Sequence, residues 1–373
     1  MITFLSVFPP YRGGIARFSD FLFRALSKDK EIKAYNFKAL YPEFLFPGST
    51  QYENEPSNKY SNRVVHSFNP FSWGQTGSEL AKEKPESLII SYWHPFFIFA
   101  YAHILKKVRK NSPDTKIIVV AHNIIPHEKF PFSKNLMKWF FKKTDLVVTL
   151  SEQTSSELSS LNADIENLKL FHPIYESDLP LMSELDLREK YGFDRDDNIV
   201  LFFGIIREYK GLDILIDALN KLALEDEKIK PLIVGEFYDD KNKYVNSINP
   251  EHKSQYTIID RFVSAEESAE LFSISDLLVL PYKSASQSGV LADALNFNLP
   301  CLVADHAGLT EHIEQGKDGL VFESENSSEL SSKISGFFSN KSQQEIIKSN
   351  IRTKKDELSW EEFSNRLVKY LTT

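Results

Sequence analysis

Asn198-Ile-Val-Leu-Phe-Phe203 runs directly into Gly204-Ile-Ile-Arg207-Glu-Tyr-Lys210-Gly211, and an apolar, helix-like segment begins near Leu212. A run with no polar alternation predicts a strand buried on both faces, which is the parallel-sheet case. A glycine at the end of such a strand permits a tight turn at φ above zero and close approach of a ligand to the backbone. Arg207 and Lys210, just ahead of the helix, offer a fork and a point charge suited to a diphosphate. Two cations on a solvated turn are the competing reading of the same residues.

The strand-then-helix unit recurs along the chain. In the first half the apolar runs are Ile2–Phe8, Ser87–Tyr92, Lys116–Ala121 and Asp145–Leu150. In the second half they are Asn198–Phe203, Pro231–Val234, Tyr256–Asp260, Asp276–Leu280 and Cys301–Ala304. Alternation with helical segments predicts βαβ units and an α/β fold class with parallel sheets. Ser264-Ala-Glu-Glu267 has capping-box spacing and opens one of the helices. The polar stretch from Ile174 to about Glu189, with Asp178, Pro180 and Ser183, reads as a linker. Two Rossmann-like domains are therefore expected, over 1–175 and 190–357. A terminal helix within 358–373 (Trp360, Phe363, Leu367 and Tyr370 at helical spacing) is expected to pack back on the first. Ligands of such sheets bind at the carboxyl ends of the strands, so a cleft between the domains is the expected active site.

Composition narrows the classes. The chain has 373 residues, 42% hydrophobic and 26% charged, the balance of a globular protein rather than a disordered or coiled-coil one. Lys and Arg total 44 against 52 Asp and Glu, a net charge of −8. No overall basic field exists to hold nucleic acid. The single cysteine, Cys301, excludes an intramolecular disulfide and a Cys-based zinc site. Met1–Val7 meets Pro9-Pro10 too soon for a secretory signal, and stretches such as Phe96–Leu105 are too short to cross a bilayer. The cytoplasm is the expected compartment. Lys134–Lys143, basic and aromatic at helical spacing, leaves a peripheral contact with an anionic membrane open beside the reading as a core-packed helix with solvated lysines.

Further stretches could carry chemistry. Pro281-Tyr-Lys-Ser-Ala-Ser-Gln287-Ser288-Gly289-Val290-Leu-Ala-Asp293 follows one strand run and enters a helix near Gly289, whose amino terminus favours phosphate. Asp293, a turn further in, suits ribose hydroxyls; simple capping by Ser288 and Gly289 is the alternative. Pro9-Pro10-Tyr-Arg12-Gly13-Gly14-Ile15 is a βα turn whose glycines suit contact with a ligand. Ala121-His122-Asn123-Ile-Ile-Pro126-His127 and Tyr92-Trp93-His94-Pro95 place histidines at strand ends, and His172 lies near the linker. No His-Glu-x-x-His, Walker-type loop or Gly-x-Gly-x-x-Gly after the first strand occurs, so no metal site, NTPase or NAD dehydrogenase is expected.

Taken in order, these pieces resemble the retaining GT-B glycosyltransferases of glycosyltransferase family four, over most of the chain. The resemblance rests on Gly13-Gly14, His122, Gly204 with Arg207-x-x-Lys210-Gly211, and the stretch Leu277 to Phe322. Within that stretch Pro281-Tyr, Gln287-Ser-Gly-Val290, Asp293-Ala, Pro300, Gly308-Leu-x-Glu311 and Asp318-Gly319-Leu-Val follow in family order. It implies a GT-B fold, with Arg207 and Lys210 on the donor diphosphate in place of a metal ion. It further implies amides near Ser288, Gly289 and Val290 on the same phosphates, Asp293 on the ribose, and the nucleobase near Arg261-Phe262-Val263. Gly14 would reach the phosphates from the opposite domain, and His122 would line the sugar site. One departure stands out: the first carboxylate of the family's Glu-x7-Glu motif falls on Ala285, so Ser286 or Gln287 would have to serve the transferred sugar.

The expected function is metal-independent, retaining transfer of a hexose-type unit from a UDP- or GDP-linked sugar to a carbohydrate or glycolipid hydroxyl, with no cofactor and no nucleic-acid partner. Surface glycan or polysaccharide synthesis is the expected setting. A nucleotide-sugar epimerase or phosphorylase of the same fold, and a non-catalytic nucleotide-sugar binding partner, are the alternatives.

Overall fold

The computed structural model describes residues 1–41, 50–52, 60–125, 133–162, 164–175, 180–222 and 228–371; Pro126, His127 and Asp178 lie outside them. Two compact units divide the chain: Met1–His172 with Trp360–Thr373, and Pro173–Ser359.

The first unit holds β1 (Ile2–Leu5), β2 (Ile32–Ala39), β3 (Ser61–His66), β4 (Ser87–Tyr92), β5 (Lys116–Ala121), β6 (Leu146–Thr149) and β7 (Asn167–Lys169). They form one sheet in the order β3-β2-β1-β4-β5-β6-β7, with every pairing parallel. The second unit holds β8 (Asn198–Phe203), β9 (Ile229–Val234), β10 (Thr257–Ile259), β11 (Leu277–Leu280), β12 (Cys301–Ala304) and β13 (Leu320–Phe322). Their order, β10-β9-β8-β11-β12-β13, is again all parallel. Both sheets reverse direction beside their first strand, between β1 and β4 and between β8 and β11, which is where doubly wound sheets place ligands.

The central strands are mostly apolar because both faces are covered: every residue of β4, β6, β11 and β12 is buried, Ser87, Ser91 and Thr149 included. At their amino ends the two units share one device. Asp145, just before β6, accepts the Ile117 N–H at 2.6 Å and the Arg109 guanidinium at 2.6 Å. Asp276, just before β11, accepts the Ile199 N–H at 2.8 Å and, on both its carboxylate oxygens, Arg188 Nη2 at 3.0 Å. These aspartates tie neighbouring strands together from outside the ladder, which shortens the expected runs Asp145–Leu150 and Asp276–Leu280 by their first residues.

Two expectations are corrected. The stretch read as a linker contains the helix Glu184–Lys190, started by Ser183, whose hydroxyl accepts the Asp186 N–H at 3.2 Å. Its polar composition concealed it, yet Leu187 and Arg188 are buried in the second unit. In the helix Ala265–Ile274, Ser264 caps the Glu267 N–H, but the Glu267 carboxylate holds Arg261 at 2.7 and 2.6 Å rather than closing a box. The last helix, Trp360–Val368, packs on the first unit: Trp360 and Phe363 set their rings 4.9 and 5.9 Å from Phe18, and Phe363 lies 5.8 Å from Phe171.

Candidate active site

The candidate site of the second unit lies at the switch between β8 and β11. Directly after β8, Gly204 adopts φ 106°, and a Cβ placed there would lie 2.9 Å from Lys210 Nζ and 3.4 Å from Val290 Cγ2. So the turn after β8 folds its lysine back over the strand end, beside the first turn of the helix Gly289–Asn296 that follows β11. Gly211, at φ 69°, permits this: its Cβ would fall 1.8 Å from the Pro281 carbonyl oxygen, a separation only glycine tolerates. The two loops are also joined by Lys283 N–H donating to the Tyr209 carbonyl at 2.7 Å.

Lys210 Nζ stands 5.1 Å from the Tyr282 ring centre, and no carboxylate pairs with it among the described residues. Burial holds its ammonium below the ordinary lysine value; Tyr209 partly restores it and Arg207 adds to the depression. A half-buried cation beside a second cation is stabilised by an anionic ligand. Arg207 lies with its guanidinium 5.1 Å from the Tyr238 ring. On the facing loop Ser288 Oγ accepts the Leu291 N–H at 3.2 Å, leaving the Gly289 and Val290 amides without an intrahelical acceptor. Asp293 and Ser286 are buried in the same segment, and Gln287 Oε1 is buried with no hydrogen-bond partner. Gly204, Lys210, Gly289 and Val290 are thus gathered at one strand junction.

Arg261 and Phe262 follow β10, the edge strand, two strands from β8. The Arg261 fork is engaged by Glu267, and the Phe262 ring is exposed. Ala285 is buried, its carbonyl 2.4 Å from where a Cβ on Gly308 would sit, so no carboxylate occupies that position.

In the first unit, Gly13 caps the helix Gly14–Ser27 at φ 114°, and a Cβ at either glycine would meet no atom within 4 Å. His122 follows β5, is 1% exposed, and sets its ring edge-on to Phe18 at 4.6 Å. Burial, with His172 adding to it, pushes its imidazole down to about 3, so the ring is neutral at physiological pH. Its Nε2 is buried without a partner. His94 is structural in character: its Nδ1 accepts the Phe96 N–H at 3.1 Å and caps a turn.

Two residues escaped the sequence reading. Gly235, after β9, brings its backbone against Gly204: a Cβ would lie 2.0 Å from the Gly204 carbonyl oxygen. Tyr238, in the same loop, bonds Ile206 (N–H to carbonyl, 3.0 Å) and lies under Arg207. The available signal was a glycine directly after an apolar run, the pattern of Phe203-Gly204 repeated in Val234-Gly235.

Residues 183–354 match the family described as Glycosyl transferases group 1. An uncharacterized glycosyltransferase of Methanocaldococcus jannaschii is 24% identical over 368 residues, covering 95% of this chain and 93% of that protein. The N-acetyl-alpha-D-glucosaminyl L-malate synthase of Bacillus anthracis is 24% identical, over 78% of this chain and 73% of that enzyme. Among solved structures, Anabaena HepE in complex with UDP and glucose superposes with a TM-score of 0.75 at 16% identity, covering 99% of this chain and 98% of that one. Doubly wound sheets in both units, the matched domain and these relatives identify the chain as a glycosyltransferase of the GT-B fold, with residues 183–354 as its group 1 glycosyl transferase domain.

Proposed function

We propose that the chain transfers a sugar from a nucleoside diphosphate sugar to a hydroxyl of a carbohydrate or glycolipid acceptor, with retention of configuration and without a metal ion. The observation that carries this reading is the half-buried Lys210 ammonium held against Gly204 at the β8–β11 switch, with no carboxylate partner among the described residues. As the bond between the sugar's anomeric carbon and the diphosphate breaks, negative charge grows on the leaving oxygens. Arg207, Lys210 and the Gly289 and Val290 amides meet that charge with fixed donors, which lowers the barrier most where water is excluded. The departing phosphate oxygen takes the proton of the attacking hydroxyl, so no side-chain base is needed. Asp293 takes the ribose hydroxyls, and Gln287 or Ser286 takes hydroxyls of the transferred sugar where Ala285 offers none. Gly13, Gly14 and His122 enter from the family resemblance, His122 as a neutral hydrogen-bonding ring. UDP and glucose bound to HepE support the donor class.

Calorimetric titration with UDP, GDP and their sugars tests the reading. One nucleoside diphosphate series should bind the wild-type chain and lose at least roughly tenfold in affinity in Arg207→Ala, the scale of one charge-assisted bidentate contact. Binding of neither series, or equal affinity in the variant, would overturn it.

A further inference from the structure

We infer that the outer face of the helices Ile98–Asn111 and Ser133–Phe141, in the first unit, docks on an anionic lipid bilayer. Residues 98–143 contain ten Lys or Arg against two Asp or Glu, in a chain whose net charge is −8. The strands on either side of these helices, β4, β5 and β6, advance in one direction across the sheet. Right-handed crossovers therefore lay both helices on one face of it, with their outer sides directed alike.

Each helix is two-sided. Inward, Tyr101, Leu105, Met137, Phe140 and Phe141 are buried, and the Tyr101 and Phe140 rings meet at 6.2 Å. Outward, Phe99 is 57% and Trp139 45% exposed. Lys106, Lys110, Lys134, Lys138 and Lys142 are exposed around them, and none is in an ion pair among the described residues. Lys143 Nζ lies 4.5 Å from the Trp139 ring. Beside them the helix Pro70–Lys82 opens with Phe71, the ring of which is 84% exposed. This helix packs so closely on its neighbour that a Cβ on Gly77 would fall 2.7 Å from Lys107 Cβ.

Large rings facing water cost free energy, and unpaired lysines around them recover none of it by pairing within the protein. A bilayer surface satisfies both at once. Rings enter the boundary between headgroups and acyl chains, while lysine stems lie along the apolar layer and carry their ammonium groups to lipid phosphates. Nucleic acid offers phosphates but no apolar layer to take up Phe71, Phe99 and Trp139. The inference is independent of which donor the second unit binds.

Co-sedimentation with vesicles tests it, comparing phosphatidylcholine alone with phosphatidylcholine containing phosphatidylglycerol. The wild-type chain should sediment with the anionic vesicles, leave them at high salt, and shift its tryptophan emission to the blue in a manner lost in Trp139→Phe. The double variant Lys138→Glu with Lys142→Glu should lower partitioning by roughly tenfold or more, because each lysine near the surface contributes separately. Phe99→Ser should weaken it as well. All these residues are exposed, so an unchanged melting temperature and unchanged nucleotide binding confirm that the variants are folded. Equal sedimentation with both vesicle types, unaltered partitioning of the double variant, or retention by duplex DNA without vesicle binding would each overturn the proposal.

Discussion

Lys210 rests over Gly204: the lysine Nζ lies 2.9 Å from the point where a Cβ on the glycine would stand. The contact joins a backbone requirement to a chemical one. Gly204 must be glycine both for its φ of 106° and to leave room for the ammonium that the proposed diphosphate would meet. The same contact helps to shield that ammonium from water, which lowers its proton affinity until an anion arrives.

Removing the ammonium should therefore separate activity from stability. Lys210→Met is expected to lower kcat/KM by about two to three orders of magnitude, the usual scale for losing one fixed donor to a developing oxyanion. Stability of the free chain should hold or rise slightly, because a half-buried charge with no carboxylate partner among the described residues is lost. The pH dependence has a definite sign. With its folded value below the ordinary 10.5, Lys210 binds fewer protons when folded than when unfolded across the interval just under 10.5, so its contribution rises with pH there. Urea titrations of wild type and variant should therefore converge as pH rises through that interval. A variant less stable than wild type at every pH would contradict the account.

His122 titrates on the acid side. Its folded value of about 3 lies under the ordinary 6.5, so the unfolded chain binds the extra proton between those limits. Wild type should lose stability as pH falls through that window, and His122→Gln should lose less, the difference reaching at most about 5 kcal/mol. Turnover should show no inflection from this ring between about pH 5 and 8, where it stays neutral. A transfer rate rising with His122 protonation near neutrality would refute the assignment.

The paired aspartates before β6 and β11 should differ in worth. Arg188 is 4% exposed, so Asp276→Ala leaves its guanidinium only the largely exposed Glu184 as a carboxylate partner, frees the Ile199 N–H, and should cost about 3–5 kcal/mol. The Arg109–Asp145 pair is about one-third exposed on each side, so Asp145→Ala should cost only about 1–2 kcal/mol, mostly for the lost Ile117 N–H acceptor. Chemical denaturation measures both. Nucleotide affinity of the folded variants should be unchanged, since both aspartates sit at the amino ends of strands, opposite the carboxyl ends where such sheets bind ligands.

Burial on both faces wrote four strands into the chain in plain form. Ser87–Tyr92, Lys116–Ala121, Asn198–Phe203 and Cys301–Ala304 have the bounds expected from their apolar runs, because strands enclosed by helices carry no alternation to blur their ends. Ile32–Ala39 was not legible. Its Asn36 is buried in mid-strand, a residue that argues against a strand until it is seen bonding the Phe8 N–H and carbonyl, both at 3.1 Å. Ser61–His66 is an edge strand with exposed polar residues, and Asn167–Lys169 and Leu320–Phe322 are three residues each, too short for a period to show.

The candidate site divides along the same line. Glycine after an apolar run, a cation pair and a serine ahead of a helix are local patterns, and local patterns are what a linear chain displays. That Lys210 lies over Gly204 beside Val290, that Gly235 presses on the Gly204 carbonyl, and that Arg261 is held by Glu267 follow from strand order and from packing between residues up to 86 positions apart. Such meetings depend on which strands become neighbours, a choice made by the burial of whole faces and not encoded in any one stretch.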